Sequence, residues 1–287
     1  MLRSHKSQPP LGRRPVHRTL EFDQETDPAV IEQLVRAEFV CSQGLIAGRR
    51  VLDVGCGTGY TGHYFARRGA AASVVGLEVD PALVETNSRQ EHDARVTFVS
   101  YDGRRFPFEP MQFDVVTCFE VLEHIPTAAQ QQLVEEIARV LTAEGVAILS
   151  TPHRPVYSPD GISLNPDHIN ELDALQLDAL CKRHFGHIDP FGQMLADRDR
   201  LAARQLRHVR SHSPAAMFLR RMQLPRLLRW LRRVWGERTP FAVAKQQFRI
   251  APGIDDQTLV QLLFCREPLP SRNKAPDVAR AAGARRS

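Results

Sequence analysis

The chain has 287 residues, 43% hydrophobic and 25% charged, with a formal net charge of +5. This composition suits a globular chain with one large core or two small ones, and no apolar run approaches the ~20 residues that cross a bilayer. The five cysteines (Cys41, Cys56, Cys118, Cys181, Cys265) include no C-x-x-C pair, which argues against a zinc knuckle or disulfide frame and for a reduced, cytoplasmic protein.

The opening MLRSHKSQPPLGRRP is basic without an apolar core, so it does not read as a secretory signal, and residues 1–18 are expected to be a disordered tail. A helix is predicted from Pro28 to Ile46, with Asp27 as N-cap, Pro28 in the first turn, and Ile31, Leu34, Val35 and Ala37 at helical spacing. Strand–turn–helix units follow. The strands are RVLDV, SVVGLEV, VTFVS, FDVVTCF, VAILS and, near the end, VQLLFC, and Thr127 to Leu141 is a helix between two of them. Short apolar strands alternating with helices predict an α/β, Rossmann-like, mostly parallel sheet covered on both faces. The domain is expected over 19–193 and 241–267, interrupted by an Arg-rich helical cap at 194–240, with a second disordered tail at 268–287. In the cap, PRLLRWLRRVWGE carries an apolar stripe of Leu227, Leu228, Leu231, Val234 and Trp235, which can pack on its own domain or touch a membrane surface.

In RVLDVGCGTGY a strand runs into a glycine-rich turn, where the missing Cβ atoms let backbone approach a ligand. Gly57, Gly59 and Gly62 also satisfy G-x-G-x-x-G, so an NAD-dependent oxidoreductase is a rival reading. Three acids point elsewhere. Asp53 interrupts an apolar strand and needs a cationic partner such as a ligand ammonium. Glu78 and Asp102, at the next two strand ends, suit ribose hydroxyls and an adenine amine. An amine, a ribose and an adenine describe a ligand with no pyrophosphate.

The series VLDVGCGTGY, VVGLEVDP, YDGRRFPF, FDVVTCFEVLEHI and RVLTAEGVAILSTPH resembles, in order, the class I S-adenosylmethionine-dependent methyltransferases over about residues 34–192, with a weaker echo in FRIAPGIDDQTLVQLLFCREP. The resemblance implies a seven-stranded sheet with an antiparallel last strand and S-adenosyl-L-methionine as cofactor. It also implies that Gly55, Cys56 and Gly57 shape the cofactor turn and that Asp53 supports the methionine ammonium. Glu78 would take the ribose, Asp102 and Gly103 would border the adenine, and Phe119 would lie beside the methionine end.

CFEVLEHI places Glu120, Glu123 and His124 at i, i+3 and i+4, on one face if the stretch is helical. His153 and His168 follow the fifth strand at the same sheet edge. Two readings carry chemistry: a hard Mg²⁺ or Mn²⁺ site from Glu120, Glu123, His124 and His168, or a metal-free catalytic group of His124, Glu123 and His168 with a histidine base. A third is plain helix capping. Ubiquinone-pathway O-methyltransferases and small-RNA 3′-terminal ribose methyltransferases have similar E-x-x-E-H turns and are metal-assisted.

The stretch NPDHINEL resembles the NPFHVREF of bacterial methyltransferases acting on surface polysaccharides and natural products, with Asp167 and Leu172 in place of aromatics. The expected reaction is O-methylation of a sugar hydroxyl on a glycan or small-molecule metabolite. The acceptor would be free or lipid-linked, with the arginine cap meeting phosphate or membrane headgroups at the inner face of the membrane. An RNA ribose 2′-O-methyltransferase is the alternative; the basic cap suits it, and the lack of a recognisable RNA-binding module does not.

Overall fold

The computed structural model describes residues 22–25, 27–91, 93–159, 161, 163, 165–197 and 241–270. The expected 1–18 tail, residues 271–287 of the second tail and residues 198–240 of the cap lie outside them, whereas Pro268 ends a strand of the domain and Met194 and Leu195 belong to another.

Eight strands form one sheet: β1 (Arg50–Val54), β2 (Ser73–Glu78), β3 (Val96–Ser100), β4 (Phe113–Phe119), β5 (Leu141–Pro152), β6 (Phe185–Leu195), β7 (Phe248–Pro252) and β8 (Val260–Pro268). Their order is β3-β2-β1-β4-β5-β8-β6-β7. The first five run parallel, so their carboxyl ends share one edge, where ligands bind in such folds. β8 is antiparallel to β5, as expected for the last strand.

The sheet has one strand more than expected. β6 and β7 pair antiparallel at the far edge, and β6 also pairs with β8. β6 contains Gly186, Pro190 and Gly192, which hide a strand from a reading by apolar runs. Its pairing with β7 starts only at Phe191, so Pro190 sits where one side of β6 is still an edge and a missing N–H is tolerated.

The helices are α1 (Pro28–Ser42), α2 (Tyr60–Arg67), α3 (Pro81–Gln90), α4 (Thr127–Val140), α5 (Arg154–Tyr157), α6 (Ala174–Cys181) and α7 (Phe241–Ala244). Asp27 caps α1 by accepting from the Ala29 N–H at 3.0 Å. The helix stops short of Ile46 because Gly44 takes φ +72°, a left-handed stop that glycine adopts without strain.

Alternate residues of the strands feed two apolar layers. Val51, Val74, Val115 and Ile148 pack with Leu34, Val40 and Phe65 of α1 and α2. Leu52, Val116, Leu149 and Leu263 pack on the other face with Leu133 and Ile137 of α4 and Leu177 of α6. Each fully buried side chain of this size contributes about 1.5–3 kcal/mol, so this two-sided burial, more than any ion pair, holds the sheet edge rigid.

Candidate functional site

At the end of β1 the chain turns through Gly55 (φ +68°) and Gly57 (φ +53°) into α2, which Gly59 opens at φ +81°. A Cβ on Gly55 would lie 2.4 Å from Val121 Cγ2, so the close approach of the β4 tip requires glycine there, whatever binds. The Gly55 and Cys56 N–H groups donate to the Leu77 carbonyl at 2.8 and 3.2 Å, tying the turn to β2. Glu78 completes the brace. Its Oε2 accepts from the Gly57 N–H at 2.9 Å, its Oε1 accepts from the Val79 N–H at 2.8 Å, and Asn87 of α3 donates to the Gly57 carbonyl at 2.8 Å.

Asp53 is buried beside this turn. Thr117, its neighbour on β4, donates to Oδ1 at 2.8 Å, while Oδ2 is buried with no hydrogen-bond partner among the described residues. Burial pushes its carboxyl up to about 7; the Thr117 bond opposes that shift and the Glu78 charge adds to it. A buried carboxylate with one unused oxygen suits a cationic group, and a ligand ammonium would satisfy it.

Asp102 lies two residues beyond β3. It is exposed, and its Oδ1 accepts from the Arg104 and Arg105 N–H groups at 2.9 and 3.3 Å, bonds that hold its carboxyl below the usual range. Gly103 follows at φ +78°. Phe119, last in β4, is buried with the Arg36 guanidinium 5.7 Å from its ring centre.

The E-x-x-E-H stretch does not meet the helical condition for a shared face. Glu120 takes φ +58°, and only Leu122–His124 form a short 3-10 turn. Left-handed backbone costs a non-glycine residue roughly 1–2 kcal/mol. Two bonds to Ser150 offset it: the Glu120 N–H donates to the Ser150 carbonyl at 3.0 Å, and the Ser150 hydroxyl donates to Glu120 Oε1 at 2.8 Å. The turn therefore directs Glu120 away from the face it was expected to share. His153 also stands apart: it is buried at the end of β5, burial lowers its imidazole pKa, and it joins none of the groupings below.

Glu123, His124 and His168 do come together. One potential ligand atom from each lies within 4.8 Å of the others. Glu123 is fully buried; Thr151 donates to its Oε2 at 2.9 Å, and its Oε1 has no hydrogen-bond partner among the described residues. Burial, reinforced by the nearby Glu120, raises its carboxyl well above the usual range.

His124 Nδ1 lies 2.9 Å from the Asp167 carbonyl oxygen. A carbonyl only accepts, so Nδ1 carries the hydrogen and Nε2 of the neutral ring keeps its lone pair. His168 Nδ1 lies 2.7 Å from Glu171 Oε1. Burial pushes Glu171 upward, but the His168 bond and others outweigh it and hold the carboxyl below its ordinary value. His168 thus also offers Nε2, with its ring 4.9 Å from that of His124 and stacked on Tyr157.

The loop bearing His168 is pinned by its backbone. The Ile169 and Asn170 N–H groups donate to the Glu123 carbonyl at 2.8 and 3.1 Å, and Gln130 of α4 donates to the Leu122 carbonyl at 2.7 Å. Thr117, Ser150, Thr151 and Glu171 were missed from sequence, although H-x-x-E at 168–171 is a readable helical-turn spacing for an oriented histidine.

Residues 51–145 match the family model described as "Methyltransferase domain". A Mycolicibacterium smegmatis protein named "Probable S-adenosylmethionine-dependent methyltransferase" is 39% identical over 135 residues, 47% of this chain and 50% of that one. A Pseudomonas aeruginosa "Ubiquinone biosynthesis O-methyltransferase" is 31% identical over 139 residues, 48% of this chain and 59% of that one. The chain thus spans about half the length of these relatives. Among solved structures, a SAM-dependent methyltransferase from Thermotoga maritima superposes with TM-score 0.52 at 13% identity, covering 83% of this chain and 91% of that one. One from Mesorhizobium loti gives 0.50 at 16% identity, covering 84% and 100%. At these identities the two structures speak for the fold alone.

Proposed function

We propose that this chain, which belongs to the class I S-adenosylmethionine-dependent methyltransferases, methylates a hydroxyl oxygen of an acceptor bound over Glu123, His124 and His168. The NAD-dependent reading is set aside with that membership. The observation carrying the proposal is the pair of histidines, each fixed through Nδ1 and offering Nε2 beside an unused, buried Glu123 oxygen.

When bound, S-adenosylmethionine supplies a sulfonium methyl group whose carbon–sulfur bond breaks as the acceptor oxygen attacks in line, the electrons of that bond going to sulfur. Asp53 would hold the ammonium through its unpartnered oxygen, and Glu78 the ribose hydroxyls through lone pairs left beside its backbone bonds. Gly55, Cys56 and Gly57 would line the turn, Asp102 and Gly103 would border the adenine, and Phe119 would close the methionine end. An alcohol holds its proton too tightly at neutral pH to react unaided.

One carboxylate and two imidazoles fit a borderline divalent ion such as Mn²⁺ better than the oxygen-preferring Mg²⁺, and an ion held there would lower the pKa of an acceptor hydroxyl. Without an ion, the His124 Nε2, on a ring 38% exposed, is the base that takes the acceptor proton. EDTA separates the two: it abolishes transfer in the first case and leaves it intact in the second.

For the acceptor we propose a vicinal diol of a sugar on a glycan or glycosylated metabolite, including lipid-linked forms whose phosphate would meet the arginines between Arg198 and Arg238. The ubiquinone-pathway names of the relatives favour oxygen as the target atom. Incubation with methyl-labelled cofactor and fractionated cell extract tests this. Label is expected in a glycan or glycolipid fraction; label in an RNase-sensitive fraction overturns the acceptor, and no S-adenosylhomocysteine binding overturns the reaction.

A further inference from the structure

Arg36 lies in the middle of α1 and is only 1% exposed. A guanidinium buried in an apolar site needs hydrogen-bond and ionic partners. Nη1 donates to Gln193 Oε1 of β6 at 2.7 Å, and Gln193 donates in turn to the Glu32 carbonyl of the same helix at 3.4 Å. Nη2 lies 3.9 Å from Glu120 Oε1, the oxygen that also accepts from Ser150. The guanidinium also covers the Phe119 ring. Two elements remote in sequence, α1 and β5, thus converge on one oxygen of one strained residue at the β4 tip. The ligand atoms of Glu123, His124 and His168 gather without Glu120.

We propose that Arg36 is a positioning residue that, with Ser150, holds Glu120 at the rim of the methyl-transfer cleft and out of the ion site, leaving a site of three protein ligands. An ion held by these three residues would leave positions open to acceptor hydroxyls, while Glu120 Oε2, which accepts no bond among the described residues, is left to receive a hydrogen bond from the acceptor. The three-ligand part rests on the ion reading given under Proposed function; the Arg36–Glu120 anchor does not.

The test uses the full chain with S-adenosylhomocysteine and Mn²⁺ alone as the probe, followed by electron paramagnetic resonance. Glu123→Gln is expected to weaken Mn²⁺ binding by roughly 10²-fold, and Glu120→Gln by less than about threefold. Arg36→Met frees Glu120, so the Mn²⁺ signal should change shape and binding should tighten several-fold; Arg36→Met combined with Glu120→Gln should restore the wild-type signal. A loss in Glu120→Gln as large as in Glu123→Gln overturns the proposal.

A wild-type chain that binds S-adenosylhomocysteine but no Mn²⁺ sinks the ion reading. The anchor is then judged by thermal unfolding of Arg36→Met, Glu120→Gln and their combination. Non-additivity of about 3 °C or more supports it, and additive shifts overturn it. If Arg36→Met does not fold, Arg36→Lys takes its place: it keeps the charge, so the wild-type Mn²⁺ signal and Glu120 dependence should persist, and their loss counts against charge-based positioning.

Discussion

The two ends of the proposed site are built differently. The proposed cofactor end comes from consecutive strand–turn units: β1 and its glycine turn, β2 ending in Glu78, and β3 followed by Asp102. Much of its holding is done by backbone, as in the bonds from the glycine turn to Leu77 and from Gly57 to Glu78. The proposed acceptor end is assembled from four separated places: Glu123 and His124 after β4, Thr151 in β5, His168 and Glu171 in a later loop, and Gln130 in α4. There side-chain bonds from remote segments join the backbone bonds that pin the His168 loop. The contrast teaches that cofactor binding should tolerate changes at the acceptor end, whereas acceptor chemistry should fail when any one of several distant residues is altered.

The largest expected effect breaks one end and spares the other. Glu123→Gln should lower methyl transfer by roughly 10²–10⁴-fold. Its S-adenosylhomocysteine affinity by calorimetry should stay within about threefold, and a parallel loss of cofactor would merge the two ends. Asp53→Asn is the mirror image. Removing the partner of a buried ammonium should weaken S-adenosylhomocysteine by about 10²-fold, while Mn²⁺ binding is retained. Glu171→Gln keeps an acceptor for His168 but removes the charge, and should weaken Mn²⁺ about tenfold with cofactor affinity unchanged.

Next comes a dependence on pH. In the cofactor-free chain Asp53 holds a proton that the unfolded chain has released, between its ordinary value of 3.8 and about 7. Unfolding in that window releases a proton, so the contribution of Asp53 to stability should fall as pH rises from about 4 to about 7, by about 4 kcal/mol at most. Thermal unfolding across this range should show the slope, and Asp53→Asn should reduce it, leaving the part that the raised Glu123 carboxyl contributes with the same sign. The smallest effect is at the brace of the turn. Asn87→Ala removes one hydrogen bond to Gly57 and should cost about 1 kcal/mol, seen as a slight loss of S-adenosylhomocysteine affinity.

Legibility from sequence followed the same division. Asp53, Glu78 and the glycines were readable because strand period, turn chemistry and burial place them within a few residues of each other. Asp102 was placed correctly on the edge, but its carboxyl serves its own turn. Glu120 shares a face with Glu123 and His124 only if the stretch is helical, and its φ of +58° breaks that helix. Strand β6 escaped notice because Pro190 and two glycines mask its pattern, and α1 read only as an amphipathic helix while its Arg36 points into the site.

By itself the sequence determined the parallel sheet, the bend at Gly55 and the row of acids along its carboxyl edge, because these depend on contacts between near neighbours and on backbone freedom at single residues. Only the tertiary structure decided which of four candidate ligands meet, which nitrogen each histidine presents, and that a buried arginine draws Glu120 aside. Those outcomes depend on distances between segments far apart in the chain, and such distances are set by how α1, β5 and the loop to α6 pack, not by any local spacing.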